Sequence, residues 1–227
     1  MANKGSSRHM KRLAVGPYSK VSRKVAAYLA KPRPGRHSLG NSVALLVILR
    51  DKLGVVANSK EAKRVIVTGQ VEVNGRRVVD ERYSVGFGDV IKLRPTGDVY
   101  SIGVGKKGAI SVEKAGKDAS ARTLKVIGKY AEKGNKIMAR LLDGTVLEAG
   151  KDVLVNDSVI LENGAVKKTL KFEKGAKCLV IKGTHASETG TIKEISKGSA
   201  LRAQTVRVGS GASEFETLSD NIMIVGA

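Results

Sequence analysis

Cysteine is nearly absent: Cys178 is the one thiol among 227 residues. It cannot form an internal disulfide, which fits a reducing compartment. Long apolar runs are missing too. The longest, Val43–Leu49, falls far short of the roughly 20 residues that a membrane-spanning helix requires. The opening stretch, MANKGSSRHMKR, carries charge but no apolar signal-peptide core. These absences predict a cytoplasmic protein with no membrane partner. Tryptophan is absent and aromatics make up only 4% of the chain, which argues against a reader of stacked single-stranded bases.

Carboxylates are missing from the first fifty residues; Asp51 is the first acid of the chain. Before it lie Lys4, Arg8, Lys11, Arg12, Lys20, Arg23, Lys24, Lys31, Arg33, Arg36 and Arg50. More than half of the net charge of +20 therefore sits in this opening segment. Charge of one sign repels itself in a compact chain, and a polyanion relieves that repulsion while releasing its own counterions. An anionic membrane would need an amphipathic basic helix or a lipidation site, and the sequence has neither. With so few aromatics, the polyanion best matched is folded RNA, read through its backbone and shape. Three of the four prolines, Pro17, Pro32 and Pro34, also fall in this segment. The run Lys31-Pro-Arg-Pro-Gly-Arg-His37 is thus neither regular helix nor central strand. Residues 1–40 are read as a basic extension with little core of its own. A solvated tail has the same composition; an arm that orders on RNA is the other reading, as in other Arg/Lys-rich segments.

Asn41 or Ser42 can cap a helix running from Val43 to Lys52, stopped by Gly54. It is apolar nearly all round and should be buried. A second helix is predicted from Ser59 to Gly69. Ala62, Val65 and Ile66 share one of its sides, and Lys60, Lys63 and Arg64 share another. An ordinary solvated face would look similar, but a hairpin follows at once. Val71 and Val73 alternate, Asn74-Gly75 is a turn dipeptide, and Arg76 and Arg77 come directly after it. Gly86–Leu93 then supplies a glycine turn and another strand. Across Ser59–Gly75 and Gly88-Asp89-Val-Ile the chain resembles the S-four RNA-binding module, over residues 42–104. The resemblance implies two helices and a small sheet against structured RNA, with Lys60, Lys63, Arg64, Arg76 and Arg77 at phosphates.

Beyond residue 97 short alternating runs sit between turn signals, a pattern of small sheets or barrels. Val99–Val104 and Ala109–Lys114 flank Gly105–Gly108. Ile137–Leu142 and Thr145–Glu148 flank Asp143-Gly144, and Val153–Leu161 and Val166–Phe172 flank Asn163-Gly164. Near the end, a strand in Gly175–Gly183, a polar loop, and Gly190 before the next strand resemble a KOW motif, the mark of small SH3-like barrels. Gly183 and Gly190 are its glycines by that resemblance; a plain glycine-bounded hairpin is the alternative.

The order of these parts resembles the ribosomal protein S-four-e family of archaeal and eukaryotic small subunits. Ser7-Arg-His-Met-Lys-Arg-Leu-Ala14 is similar to its opening motif, and Lys31–Leu39 to its next basic segment. The resemblance implies rRNA contacts from Arg8, His9, Lys11, Arg12, Lys31, Arg33 and Arg36. The expected fold is α+β, mostly β. It comprises a basic extension (1–40), an S-four-like α-hairpin with a small sheet (41–104), a central β domain (105–172) and a C-terminal KOW/SH3-like barrel (173–227). The expected function is that of a structural constituent of the small ribosomal subunit, monomeric when isolated, with rRNA and neighbouring ribosomal proteins as partners.

Enzyme signatures are weak. Arg140-Leu-Leu-Asp143 is similar to the aspartate context of RNA pseudouridine synthases, but it has an extra leucine, and Asp143 falls where a turn belongs. Gly103-Val-Gly105-Lys-Lys-Gly108 lacks the following helix of a phosphate loop. His9, His37 and His185 have no metal-ligand spacing with one another or with Cys178. No catalytic residue, metal or cofactor is expected. An RNA modifier carrying an S-four module and a transiently bound KOW-type factor remain as rival classes.

Overall fold

The apolar run at Val43–Leu49 is buried throughout and belongs to the largest of the chain's hydrophobic cores. The computed structural model describes residues 7, 9–116, 121–134, 136–150, 152–162, 164–199, 202–211 and 213–226; Arg8 and Asn163 lie outside them. The chain divides into two compact units, Met1–Gly103 with Ala109–Lys117, and Val104–Gly108 with Asp118–Ala227. It is an α+β protein dominated by strands.

The first unit contains, in chain order, β1 (Met10–Lys11), β2 (Tyr28–Leu29), β3 (Ser42–Ala44), α1 (Leu45–Val47), α2 (Ser59–Val67), β4 (Val71–Val73), β5 (Arg76–Arg77), β6 (Ser84–Gly86), β7 (Val90–Leu93), β8 (Val99–Val104) and β9 (Ile110–Ala115). The helix expected from Val43 starts later. Ser42–Ala44 is extended and pairs with β6, Val43 opposite Val85. An unbroken apolar run has no period with which to choose helix or strand, so distant partners decide. The first free N–H groups of α1 are satisfied by the chain before β6: Leu45 donates to the Tyr83 carbonyl at 2.9 Å and Leu46 to that of Glu81 at 3.1 Å. The Ser42 hydroxyl caps nothing; it donates to the Ser38 carbonyl. After Val47 the helix widens into a π-helical turn, Ile48–Lys52, closed by the Leu53 N–H on the Ile48 carbonyl, and Gly54 leaves it at φ +64°.

Helix α2 begins at Ser59 as predicted. The Glu61 carboxylate reaches back to the Ala57 N–H at 3.0 Å, which suits a negative group at a helix start. Ala62 and Ile66 form its buried side. The Asn74-Gly75 turn joins β4 to β5 with φ of +53° and +75°, the signs a two-residue I′ hairpin demands. The main sheet of the unit runs β5-β4-β7-β8-β9; Val71, Val73, Ile91 and Leu93 face the helices as its buried side. Val15 and Leu29 from the basic segment join this same core.

The second unit holds β10 (Arg122–Glu132), β11 (Lys136–Leu141), β12 (Val146–Glu148), β13 (Ser158–Glu162) and β14 (Ala165–Leu170), then β15 (Lys177–Val180), β16 (Thr189–Ser196), β17 (Thr205–Ser210), β18 (Ser213–Leu218) and β19 (Ile222–Ile224). They form two five-stranded antiparallel sheets, ordered β12-β11-β10-β13-β14 and β18-β17-β16-β15-β19. Each has its own core built by alternation. Leu124, Val126, Ala139, Leu141, Val159 and Leu161 fill the first; Cys178, Ile192, Val206, Val208, Ile222 and Ile224 fill the second. Burial pushes the Cys178 thiol up to about 11, which makes it an inert apolar filler. The expected strand from Val153 to Leu161 forms only from Ser158. Before it the chain loops with Asn156 at φ +76°, held by the buried Asp157 carboxylate, which accepts the N–H groups of Leu154 and Phe172. No helix among the described residues is long and apolar enough to cross a membrane.

Candidate nucleic-acid interface

The site grows from the helical spacing of α2. Residues three apart share a side, so Lys60 and Lys63 both reach away from the Ala62/Ile66 core side. They line a groove of about 390 Å³ whose opposite wall is the β1–β2 hairpin of the basic segment, with His9, Tyr28 and Lys31. Arg50 at the end of the π turn and Arg82 before β6 complete it. Five Lys and Arg side chains thus meet one lining carboxylate, Glu81, which lies 3.8 Å from Lys63 and 3.9 Å from Arg82. His9 and Tyr28 stand with ring centroids 6.0 Å apart, and Tyr28 is 61% exposed. The result is a concave, cationic wall with a polar-tipped aromatic at its edge.

Two ion pairs fix this wall. Arg12 is buried and its guanidinium donates to Asp51 at 2.8 Å; Arg50 donates to both oxygens of the same carboxylate and to the Ser59 hydroxyl at 2.6 Å. Burial alone would raise the Asp51 carboxyl, but the hydrogen bonds and charges of Arg50 and Arg12 outweigh it and hold the group below its ordinary value. Arg12 therefore anchors the basic segment to the end of the helix.

The same unit holds a buried polar node. Asp89 accepts from the Gly86 N–H at 2.9 Å and from the Asn74 amide at 2.7 Å, and it meets His37 Nε2 at 2.8 Å. The Asn74 carbonyl oxygen accepts in turn from the Val90 N–H. His37 packs so tightly over Gly86 that a Cβ there would come within 2.6 Å of its ring. One aspartate thus ties together the proline-bearing basic segment, the hairpin turn and the sheet.

Of the sequence-predicted contacts, His9, Lys31, Lys60 and Lys63 come together in the groove. Arg33 lies in an adjoining hollow and pairs with Asp80 at 3.1 Å. Lys11, Arg64 and Arg76 are exposed and Arg36 is half-buried, all outside the groove lining. Arg77 turns back instead: its guanidinium donates to the Thr68 carbonyl at 2.7 Å, capping the C-terminal end of α2 and crossing Gly69 (φ +74°), whose missing Cβ leaves the space. Arg50, Arg82 and Tyr28 belong to the groove but were not singled out by sequence reasoning; they are isolated in the chain, and only the acid-free composition before Asp51 hinted at Arg50.

In the second unit, Asp143 is no catalytic aspartate. Its buried carboxylate accepts from the Thr145 N–H, from the Thr145 hydroxyl at 2.6 Å and from Arg122 at 3.0 Å, so it locks a turn. Gly183 sits at φ +97° after β15. At Gly190 a Cβ would meet the Val208 side chain at 2.5 Å and the Gly209 carbonyl at 2.6 Å, so β16 and β17 approach closely there. His185 stacks on Phe215, centroids 4.1 Å apart. Among the described residues no three His, Cys, Asp or Glu side chains gather as a metal site would need.

Two helices and a hairpin carrying such a groove define a known class: residues 45–91 match the S4 domain. Over nearly its whole length the chain is similar to small ribosomal subunit protein eS4 of Methanocella arvoryzae, 33% identical with 96% of this chain and 94% of that protein covered. The eS4 protein of Thermoplasma volcanium is 34% identical, with 96% and 92% covered. The crystal structure of 30S ribosomal protein S4e from Thermoplasma acidophilum superposes with a TM-score of 0.71 at 28% identity, covering 82% of this chain and 96% of that one. The chain belongs to the eS4 family of small ribosomal subunit proteins, and it is a ribosomal protein, not an enzyme.

Proposed function

We propose that this chain is a structural constituent of the small ribosomal subunit that binds folded rRNA by neutralising phosphates along the basic groove. The observation that carries this reading is the convergence of Lys31, Arg50, Lys60, Lys63 and Arg82 on one concavity with a single carboxylate. Lys11, Arg33, Arg36, Arg64 and Arg76 extend the cationic surface, Arg8 continues the opening motif, and Arg12 and Arg77 serve by holding the scaffold. Such contacts release condensed counterions and set register without reading sequence. Family membership supports rRNA and neighbouring ribosomal proteins as partners and the cytoplasmic ribosome as location; the free chain is read as a monomer.

The domain reading is 1–40, 41–104, 105–172 and 173–227, with the last part a KOW-bearing SH3-like barrel. The independent core of β15–β19 and the roles of Gly183 and Gly190 support it. Filter binding to small-subunit rRNA across a salt series tests the mechanism: affinity falls steeply, in a log–log line of slope near −0.9 for each phosphate neutralised on duplex. Salt-independent binding overturns it. Co-sedimentation with small subunits in moderate salt separates a resident component from a transient factor.

A further inference from the structure

We propose that the hollow flanked by Pro32, Pro34 and Leu39 receives one unstacked nucleotide of the RNA strand whose phosphates follow the basic groove; this rests on the rRNA-binding reading above. The hollow has a volume of about 880 Å³, inside the roughly 300–1,000 Å³ of small-ligand sites. Among the described residues its lining contains Lys31, Arg33 and Arg82 and no carboxylate. Lys31 and Arg82 line the groove as well, so the two spaces adjoin and a strand following one passes beside the other.

The interior suits a flat heterocycle. Pro32 is buried, while Leu39 keeps 45% of its surface exposed. At the rim, the Arg33 guanidinium is oriented by Asp80, and its backbone N–H donates to the Arg82 carbonyl at 2.8 Å. The buried His37–Asp89 contact fixes the wall behind. Splayed RNA bases stack on aromatic rings or on guanidinium planes. This chain is poor in the first, and the hollow offers the second at Arg33, with the exposed Pro34 and Leu39 among the same lining residues. A lining that combines proline and leucine with three cations matches a base with its phosphate better than it matches a bare anion.

The test is a heteronuclear NMR titration of the full chain with adenosine 5′-monophosphate, ribose 5-phosphate and inorganic phosphate. The expected result is a saturable shift at Gly35, Ser38 and Leu39 that is roughly fivefold tighter for the nucleotide than for ribose 5-phosphate, as base stacking requires. Leu39→Asp abolishes this response, and Arg33→Gln weakens it severalfold. Lys60→Ala combined with Lys63→Ala lowers rRNA affinity and leaves the nucleotide response unchanged, so the two readings fail separately. Equal responses to all three probes, or no saturable shift at the hollow, overturn the nucleotide site.

Discussion

In the first unit, Lys31, Arg50, Lys60, Lys63 and Arg82 surround one lining carboxylate. In the C-terminal sheet, Lys193 of β16 pairs with Glu214 of β18, over the intervening strand, and Arg207 faces Glu194 on the adjacent strand, and in the central sheet Lys167 meets Glu162 and Lys136 meets Glu148. The residue types are the same; their neighbours are not. Cations matched across strands neutralise one another locally and, being exposed, contribute little to stability. At the groove five cations share Glu81 and, through Arg50, the Asp51 carboxylate that also holds Arg12, and the positive excess favours an external polyanion. The contrast teaches that bulk charge locates a partner class, while the distribution of acids locates the surface.

The largest test of this contrast removes the buried node at Asp89. Asp89→Ala leaves His37, the Asn74 amide and the Gly86 N–H facing a cavity; at roughly 1–3 kcal/mol for each buried group left without its partner, the loss is about 4 kcal/mol. Urea unfolding should show that loss in the first unit, with rRNA binding lost alongside it; intact rRNA affinity would detach the groove from its support.

Next comes Lys125, buried in the second unit with its ammonium donating to the Ser219 carbonyl at 2.6 Å. Burial lowers its pKa to about 8 from 10.5, despite the nearby Asp220 charge. Between these values the unfolded chain holds a proton that the folded one has released, so stability rises with pH across the window. The full gain is about 3 kcal/mol, and it is absent below pH 8. Denaturation midpoints measured from pH 7.5 to 10.5 should climb for the wild type and flatten for Lys125→Met.

Gly190→Ala should destabilise the C-terminal sheet by roughly 2 kcal/mol, because the methyl group meets backbone as well as Val208; a neutral melting temperature would contradict the close approach. Lys63→Ala should weaken rRNA binding severalfold without changing sequence preference and reduce the salt slope by about one. Glu214→Gln should alter neither rRNA affinity nor melting measurably, and any large effect would mean that the matched cations of this sheet also face RNA.

Much of this was legible wherever local chemistry decides. Helix α2 and the Asn74-Gly75 hairpin form where the 3.6 period and the turn dipeptide place them, and the Lys60/Lys63 side of the groove follows from spacing alone. Local rules failed where distant chain decides. Ser42–Ala44 is strand because β6 pairs with it, and the loop before Ser158 exists because Asp157 holds it. Arg12 reads as one more cation, yet Asp51, thirty-nine residues on, makes it an anchor. Arg50 and Arg82 joined the site through folding, since nothing near them in sequence sets them apart.

The crossing of Arg77 over Gly69 has a consequence for how this sequence can vary. The guanidinium occupies the space that any side chain at position 69 would need, within 1.5 Å of where a Cβ would lie. A side chain at position 69 would push the exposed Arg77 guanidinium aside and free the Thr68 carbonyl, whereas replacing Arg77 removes that cap alone. At φ +74° position 69 favours glycine whether or not Arg77 is present, so the left-handed turn fixes this position first and the guanidinium then uses the space the glycine leaves.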